Sequence, residues 1–328
     1  MVKVAINGFG RIGRVVLREG LKRKGIEWVA INDLTDNKTL AHLFKYDSVH
    51  GVYPEKVSST DDSITIGDKK INAFSIANPK ELPWKELDID VVFECTGRLN
   101  KNNDFKQHFD AGAKKVILSA PADGVDATIV LGVNNDQIKD SYKSYSNASC
   151  TTNCLAPVAM VLEKEFGIIS GMMNTIHAYT NDQRLLDFSH NDLRRSRAAA
   201  LSIIPTTTGA TKAVGKVLPA VQGKMDGVSL RVPVPNGSMT DFVCLVKKET
   251  TKEEVNAALK KASETYLKGI IEYAVDPIVS HDIIGNSHSS IVDSELTQVV
   301  NKNMVRVMSW YDNEWGYSAR MLDLIKKV

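Results

Sequence analysis

In the first half of the chain, apolar residues come in short bursts separated by stretches that repeat with helical spacing. The bursts at 2–7, 28–32, 91–95 and 115–119 are rich in Val, Ile and Ala, the composition of buried strands. The last two are followed by small or polar residues, Thr96-Gly97 and Ala120-Pro121. An amphipathic stretch over 11–24 follows the first burst. Strands alternating with helices predict a parallel, doubly wound sheet, in which ligands gather at the carboxyl ends of the strands. The second half has longer strand-like runs at 172–180, 227–234, 240–247 and 305–311. Helical patterns lie at 150–166, 209–217 and 252–268, with a last helix at about 315–327. This half reads as a mixed or antiparallel sheet covered by helices. The fold class expected is therefore α/β, a doubly wound parallel sheet joined to an α+β domain.

Length agrees with two domains, since 328 residues exceed the usual ~100–200 per domain. With 43% hydrophobic residues there is enough to bury a core in each. Lys and Arg number 41 against 39 Asp and Glu, a balance that makes no electrostatic case for nucleic acid as the main partner. No apolar run approaches the ~18 residues of a membrane span, and no signal peptide is expected at Met1-Val2-Lys3. Cysteines at 95, 150, 154 and 244 suit neither a disulfide framework nor a zinc site. Reduced thiols in a cytoplasmic enzyme, with no metal, are the simpler reading.

Gly8-Phe9-Gly10-Arg11-Ile12-Gly13 matches G-x-G-x-x-G, with a strand before it and a helix after. In that setting the glycines Gly8, Gly10 and Gly13 allow a tight turn and close approach of a pyrophosphate. The helix start offers N–H groups and the positive end of its dipole. Asp33 stands 20 residues beyond Gly13, at the end of the second strand. A carboxylate there can accept from the adenosine ribose hydroxyls and repels the 2′-phosphate of NADP. The plainer alternative is a turn with an ordinary loop aspartate.

Ser149-Cys150-Thr151-Thr152-Asn153-Cys154 puts a cysteine at or near a helix N-terminus, where the thiolate is favoured. His177, on the strand-like run before Thr180, is the best base for it. A lone cysteine is otherwise a small buried hydrophobe, the reading expected for Cys95, Cys154 and Cys244. His42, His50, His108, His190, His281 and His288 are expected to be hydrogen-bonded structural residues.

The segment at 149–154 resembles the active-site signature of the glyceraldehyde-3-phosphate dehydrogenase family. The resemblance runs through 5–14, His177-Ala178-Tyr179-Thr180, 205–210, Arg231-Val232-Pro233 and 310–317 in the family's order, over essentially the whole chain. It implies a Rossmann domain at 1–149, completed by a C-terminal helix at 313–328, and a catalytic domain at 150–312. It also implies oxidation of glyceraldehyde 3-phosphate with NAD and inorganic phosphate, in glycolysis. Cys150 would attack the aldehyde, and His177 would lower the thiol's pKa and assist at the oxygen. Thr180 and Arg231 would hold the substrate phosphate. Ser149, Thr151, Thr208 and Gly209 would hold the attacking phosphate, with Arg195 as a further candidate. Arg11 and Ile12 would touch the pyrophosphate, Asp33 the ribose, and Ser119 the nicotinamide ribose. Asn313 would hold the carboxamide, with Tyr317 nearby. A homotetramer is implied, with the arginine-rich stretch 180–202 between subunits.

The chain departs from the family pattern at Ala77-Asn78-Pro79, where many members carry an arginine near the adenine. Phe188-Ser189-His190 is reminiscent of members that accept NADP, whereas Asp33 argues for NAD. The rival readings are erythrose-4-phosphate dehydrogenase, which hydrolyses its thioester, an NADP-dependent biosynthetic form, and a non-catalytic Rossmann binding protein.

Overall fold

A computed structural model describes residues 1–328. The chain divides into two compact units: residues 1–129, 136–148 and 318–328, and residues 130–135 and 149–317. No helix is long and apolar enough to cross a membrane.

The first unit is built on nine strands: β1 (Val2–Asn7), β2 (Ile26–Asn32), β5 (Val57–Ser59), β6 (Ser63–Ile66), β7 (Lys69–Phe74), β8 (Val91–Glu94), β9 (Lys115–Leu118), β10 (Ala127–Thr128) and β11 (Ser144–Ser146). A separate pair, β3 (Tyr46–Asp47) and β4 (Gly51–Val52), lies between β2 and β5 in the chain. The nine run in the order β10-β11-β9-β8-β1-β2-β7-β6-β5. From β10 to β7 every neighbour is parallel; β6 and β5 then fold back antiparallel. The parallel strands are apolar runs because both faces are buried, as in β8, where all four residues are enclosed. Leaving β1, the chain builds first toward β2 and β7, then returns to β8 and builds the other way. The sheet therefore reverses between β1 and β8, and a crevice opens at their carboxyl ends.

Three helices lie wholly in this unit: α1 (Arg11–Gly20), α2 (Asn37–Lys45) and the short α3 (Gln107–Asp110). The predicted first helix was longer. It stops at Gly20, which packs on Trp28 so closely that a Cβ would lie 2.1 Å from the indole. Under the sheet, Ala5, Ala30, Val92, Leu82, Trp84 and Ile89 share one apolar cluster.

The second unit holds β12 (Ile168–Ala178), β13 (Ile204–Thr207), β14 (Met225–Val232), β15 (Ser238–Val246), β16 (Ile271–Ala274), β17 (Ser290–Asp293), β18 (Gln298–Val300) and β19 (Met304–Tyr311). They pair in the order β13-β14-β12-β15-β19-β17-β16, with β18 beside β19. The sheet is mixed: β12 with β14 and β16 with β17 are parallel, and the remaining pairs are antiparallel. Helices α4 (Cys150–Phe166), α5 (Ala210–Val217) and α6 (Lys252–Glu264) belong to it. Thr251 and Glu254 start α6 with a reciprocal capping box. The last helix, α7 (Trp315–Ile325), begins on Asp312, whose Oδ1 accepts from the N–H groups of Glu314 and Trp315.

Candidate active site

In the first unit, a cleft of about 340 Å³ lies at the strand ends, lined by Asn7, Gly8, Gly10, Asp33, Cys95 and Thr96 among others. The three motif glycines have three different surroundings. Gly8 has φ +91°, and a Cβ on it would lie 2.6 Å from Thr96 N. A Cβ on Gly13 would lie 2.2 Å from Gly8 O, so this glycine lets α1 pack onto the turn. Around Gly10 nothing lies within 4 Å of that position. Open space over the backbone, next to a helix start that no side chain caps, is the cradle a pyrophosphate needs. Asp33 fixes the turn: its Oδ2 accepts from Phe9 N at 2.8 Å and its Oδ1 from Thr35 N at 3.0 Å. Lone pairs remain for ribose hydroxyls. These residues fit a dinucleotide.

Arg11 and Ile12 open α1 as expected, but the Arg11 guanidinium is committed to Asp47 at 2.7 Å. Asp47 is held down at about 2, against burial, by the N–H groups of His50 and Val49 and by Arg11. Ser119 follows β9 and hydrogen-bonds Cys95, whose thiol burial pushes far up.

In the second unit, Ser149 is the N-cap of α4, its Oγ accepting from Thr152 N at 3.1 Å, which puts Cys150 at the first helical position. Cys150 Sγ lies 3.4 Å from His177 Nε2. His177, next to last in β12, lies opposite Arg231 of β14, and the parallel register places the two side by side. The His177 Nδ1 is 2.6 Å from Ala178 O and 3.0 Å from Arg231 Nη1. The shorter contact decides the tautomer: Nδ1–H donates to Ala178 O, and the Nε2 lone pair faces the sulfur. Arg231 Nη1 shares the same carbonyl at 3.3 Å, and its buried Nε has no partner. An orphaned guanidinium N–H in a buried place invites an anion.

Burial, reinforced by the Arg231 charge, holds His177 down at about 3, so the ring is neutral. Burial pushes the Cys150 thiol up, and the largest influences opposing it are Arg231 and hydrogen bonds from Thr151. The neutral ring thus presents Nε2 as an acceptor toward the Cys150 sulfur.

The remaining predicted residues are distributed as follows. Thr151 is buried, with its hydroxyl 2.9 Å from Tyr311 OH. Thr208 Oγ1 accepts from Ala210 N at 3.2 Å, and Gly209, the N-cap of α5, has open space where a side chain would be. Thr180 N reaches Gln183 Oε1 at 3.4 Å, and Arg195 pairs with Asp182. No hydrogen bond links Thr180, Thr208 or Gly209 to the Cys150–His177–Arg231 group. Asn313 is buried, its Oδ1 accepting from Ser238 Oγ at 2.8 Å.

Sequence reasoning gave no role to Tyr311 or Ser238. Tyr311 sets its ring edge-on to His177 and its hydroxyl between those of Thr151 and Thr175. The Ser238 hydroxyl accepts from Ala178 N while donating to Asn313. Tyr311 lies in the 310–317 motif, the one signal that pointed to it.

A chain that devotes one unit to a dinucleotide and carries a cysteine set on a histidine in the other is a dinucleotide-dependent oxidoreductase. Comparison with known proteins agrees. Residues 2–102 match the family description "Glyceraldehyde 3-phosphate dehydrogenase, NAD binding domain", and residues 149–313 match its C-terminal domain. The glyceraldehyde-3-phosphate dehydrogenase of Borreliella burgdorferi is 58% identical over 100% of this chain and 99% of its own length. That of Geobacillus stearothermophilus is 56% identical over 98% and 97%. That of Mycolicibacterium smegmatis is 55% identical over 100% and 98%. The chain belongs to the glyceraldehyde-3-phosphate dehydrogenase family, and its cofactor is NAD.

Proposed function

We propose that the protein converts glyceraldehyde 3-phosphate, NAD and inorganic phosphate to 1,3-bisphosphoglycerate, with Cys150 as the nucleophile and His177 as its base. The observation that carries this reading is the 3.4 Å contact between Cys150 Sγ and His177 Nε2, with Nδ1 tied to Ala178 O. As the sulfur attacks the aldehyde carbon, Nε2 takes the thiol proton and returns it to the carbonyl oxygen, giving a thiohemiacetal. NAD, when bound, supplies the two-electron acceptor for oxidation to the thioester. His177 takes the hydroxyl proton as the carbonyl re-forms. A phosphate oxygen then attacks the thioester carbon, the C–S bond breaks, and the sulfur regains its proton. Keeping water away from the thioester preserves the energy of oxidation in the acyl phosphate.

Arg231 and Thr180 bind the substrate phosphate in this reading, supported by the unpartnered Arg231 Nε. Ser149, Thr151, Thr208 and Gly209 serve the attacking phosphate. Ser149 also caps α4, and Thr208, one residue before the N-cap of α5, accepts from Ala210 N; phosphate binding would draw on the same helix-start N–H groups. For NAD, Gly8, Gly10, Arg11, Ile12 and Gly13 meet the pyrophosphate, Asp33 the adenosine ribose, Ser119 the nicotinamide ribose and Asn313 the carboxamide. The nucleotide domain comprises 1–149 with 313–328, and the catalytic domain 150–312. A cytoplasmic homotetramer fits the four free cysteines and the exposed apolar side chains Leu185, Leu186, Phe188, Leu193 and Leu201 on the 180–202 stretch. Light scattering should give the mass of four chains.

The test is NADH formation from glyceraldehyde 3-phosphate and NAD, with and without phosphate, for the parent protein and Cys150→Ser. Phosphate-dependent turnover that the variant lacks is expected. Turnover indifferent to phosphate would instead identify an enzyme that hydrolyses its thioester.

A further inference from the structure

Glu94 is a buried carboxylate that the proposed reaction does not use. It ends β8, next to β1, where the sheet reverses. Its two oxygens meet four donors. Oε1 accepts from the Thr96 N–H at 2.8 Å and from the Thr96 hydroxyl. Oε2 accepts from Asn7 Nδ2 at 2.7 Å and from His108 Nε2 at 2.9 Å.

The His108 contact has the geometry of an ion pair, and Trp84 prevents it from being one. An indole N–H can only donate, and that of Trp84 donates to His108 Nδ1 at 3.1 Å. Nδ1 must carry a lone pair, so the ring's one proton sits on Nε2, facing Glu94. An imidazolium would set N–H against N–H, and His108 and Trp84 are fully enclosed. Glu94 is therefore a carboxylate held by four dipoles and by no cation.

Those dipoles belong to the cleft. Asn7 Oδ1 accepts from Asn32 Nδ2 at 2.8 Å, and Asn32 Oδ1 accepts from Ile76 N at 2.9 Å. One run of hydrogen bonds thus crosses the ends of β8, β1 and β2 and the exit from β7. Asn7, Asn32, Ile76 and Thr96 all line the cleft, and the Thr96 backbone is the wall on which Gly8 turns.

We propose that Glu94, oriented by Trp84 through His108, is the positioning residue of the dinucleotide cleft, holding Asn7 and the 95–97 turn in the form that receives NAD. The proposal rests on assigning this cleft to NAD. Glu94→Gln tests it, because an amide keeps the shape but must turn its NH₂ toward two existing donors. Calorimetric titration with NAD should show Kd raised about tenfold or more, while kcat at saturating NAD stays within about threefold. A residue that served folding alone would lower the melting temperature without that split.

A second pair of variants decides the matter should Glu94→Gln fail to fold. His108→Leu removes the donor to Glu94 and should weaken NAD binding by about fivefold. His108→Gln, whose amide N–H can take the place of Nε2–H, should restore it to within about twofold. In the parent protein, nitrogen NMR should find the His108 ring protonated at Nε2 and unprotonated at Nδ1. Unchanged NAD affinity in Glu94→Gln, equal affinities in the two His108 variants, or a charged His108 in the parent protein would each overturn the proposal. Failure of the parent protein to bind NAD would overturn instead the assignment of the cleft.

Discussion

Replacing Gly8 and Gly10 by alanine, one at a time, should separate folding from cofactor binding within a single turn. At Gly8 the new Cβ would sit 2.6 Å from Thr96 N, 2.7 Å from Cys95 C and 2.9 Å from Thr96 Cα. All three are backbone atoms, so relief to an ordinary 3.4 Å contact needs a shift of about 0.8 Å (3.4 − 2.6) between two strand ends. The φ of +91° adds a left-handed penalty of about 1–2 kcal/mol, and overpacking adds about 1–3 kcal/mol. A loss of roughly 2–5 kcal/mol corresponds to a fall in Tm of roughly 4–20 °C for a domain of this size. Gly10 has φ −71° and open space around it, so Gly10→Ala should leave the melting temperature unchanged or slightly raised. The same methyl would stand where the pyrophosphate must come, and NAD affinity should fall by about tenfold or more. Differential scanning fluorimetry without cofactor and calorimetric titration with NAD read the two effects apart. Wild-type NAD affinity in Gly10→Ala would refute the idea that phosphates approach over that residue.

The remaining predictions concern charge. His177 is buried and held at about 3, whereas in the unfolded chain it returns to its ordinary 6.5. The unfolded state therefore binds the proton first, and the stability His177 contributes is complete above about pH 6.5 and lost as pH falls toward 3. His177→Asn should flatten the Tm-against-pH curve across that window and lower kcat about 10²–10⁴-fold; an equally steep curve in the variant would show that the ring is not buried neutral. Asp33→Asn keeps the shape at the end of β2 but removes the charge facing a 2′-phosphate. It should raise kcat/KM for NADP relative to NAD by about tenfold, and comparable use of both cofactors by the parent protein would defeat the reading of Asp33 as the discriminating charge.

Much of this was legible in the sequence where local signals coincide. The strand, glycines and helix of residues 2–20 carry their own period and punctuation. The polar segment before a helical stretch put Cys150 at a helix start, and Ser149 does cap it. Signals that depend on pairing between distant segments were not legible. Nothing in the sequence near His177 foretells Arg231 as its neighbour; that comes from the parallel register of β12 with β14. The antiparallel flap β5-β6-β7 was missed because its strands are short and mix polar with apolar residues instead of forming apolar bursts. The predicted helix over 252–268 stops at Glu264, where Leu267 turns in to be buried and its N–H bonds Ala262 O. His108 was expected to be a hydrogen-bonded structural residue, and it is; its donor and acceptor partners emerge only when residues 84, 94 and 108 are folded together.

The register that joins His177 to Arg231 also fixes which kinds of sequence drift the site can absorb. The two residues are separated by 53 others, a span that includes the irregular 179–203 stretch, β13 and α5. Insertions or deletions within the surface connections need not alter their separation, since paired strands rather than loop length set it. A single residue gained or lost inside β12 or β14 is a different event, because it turns alternate side chains to the opposite face of the sheet. The pairing of His177 with Arg231 thus depends on the two strands keeping count, and not on the length of the chain that joins them.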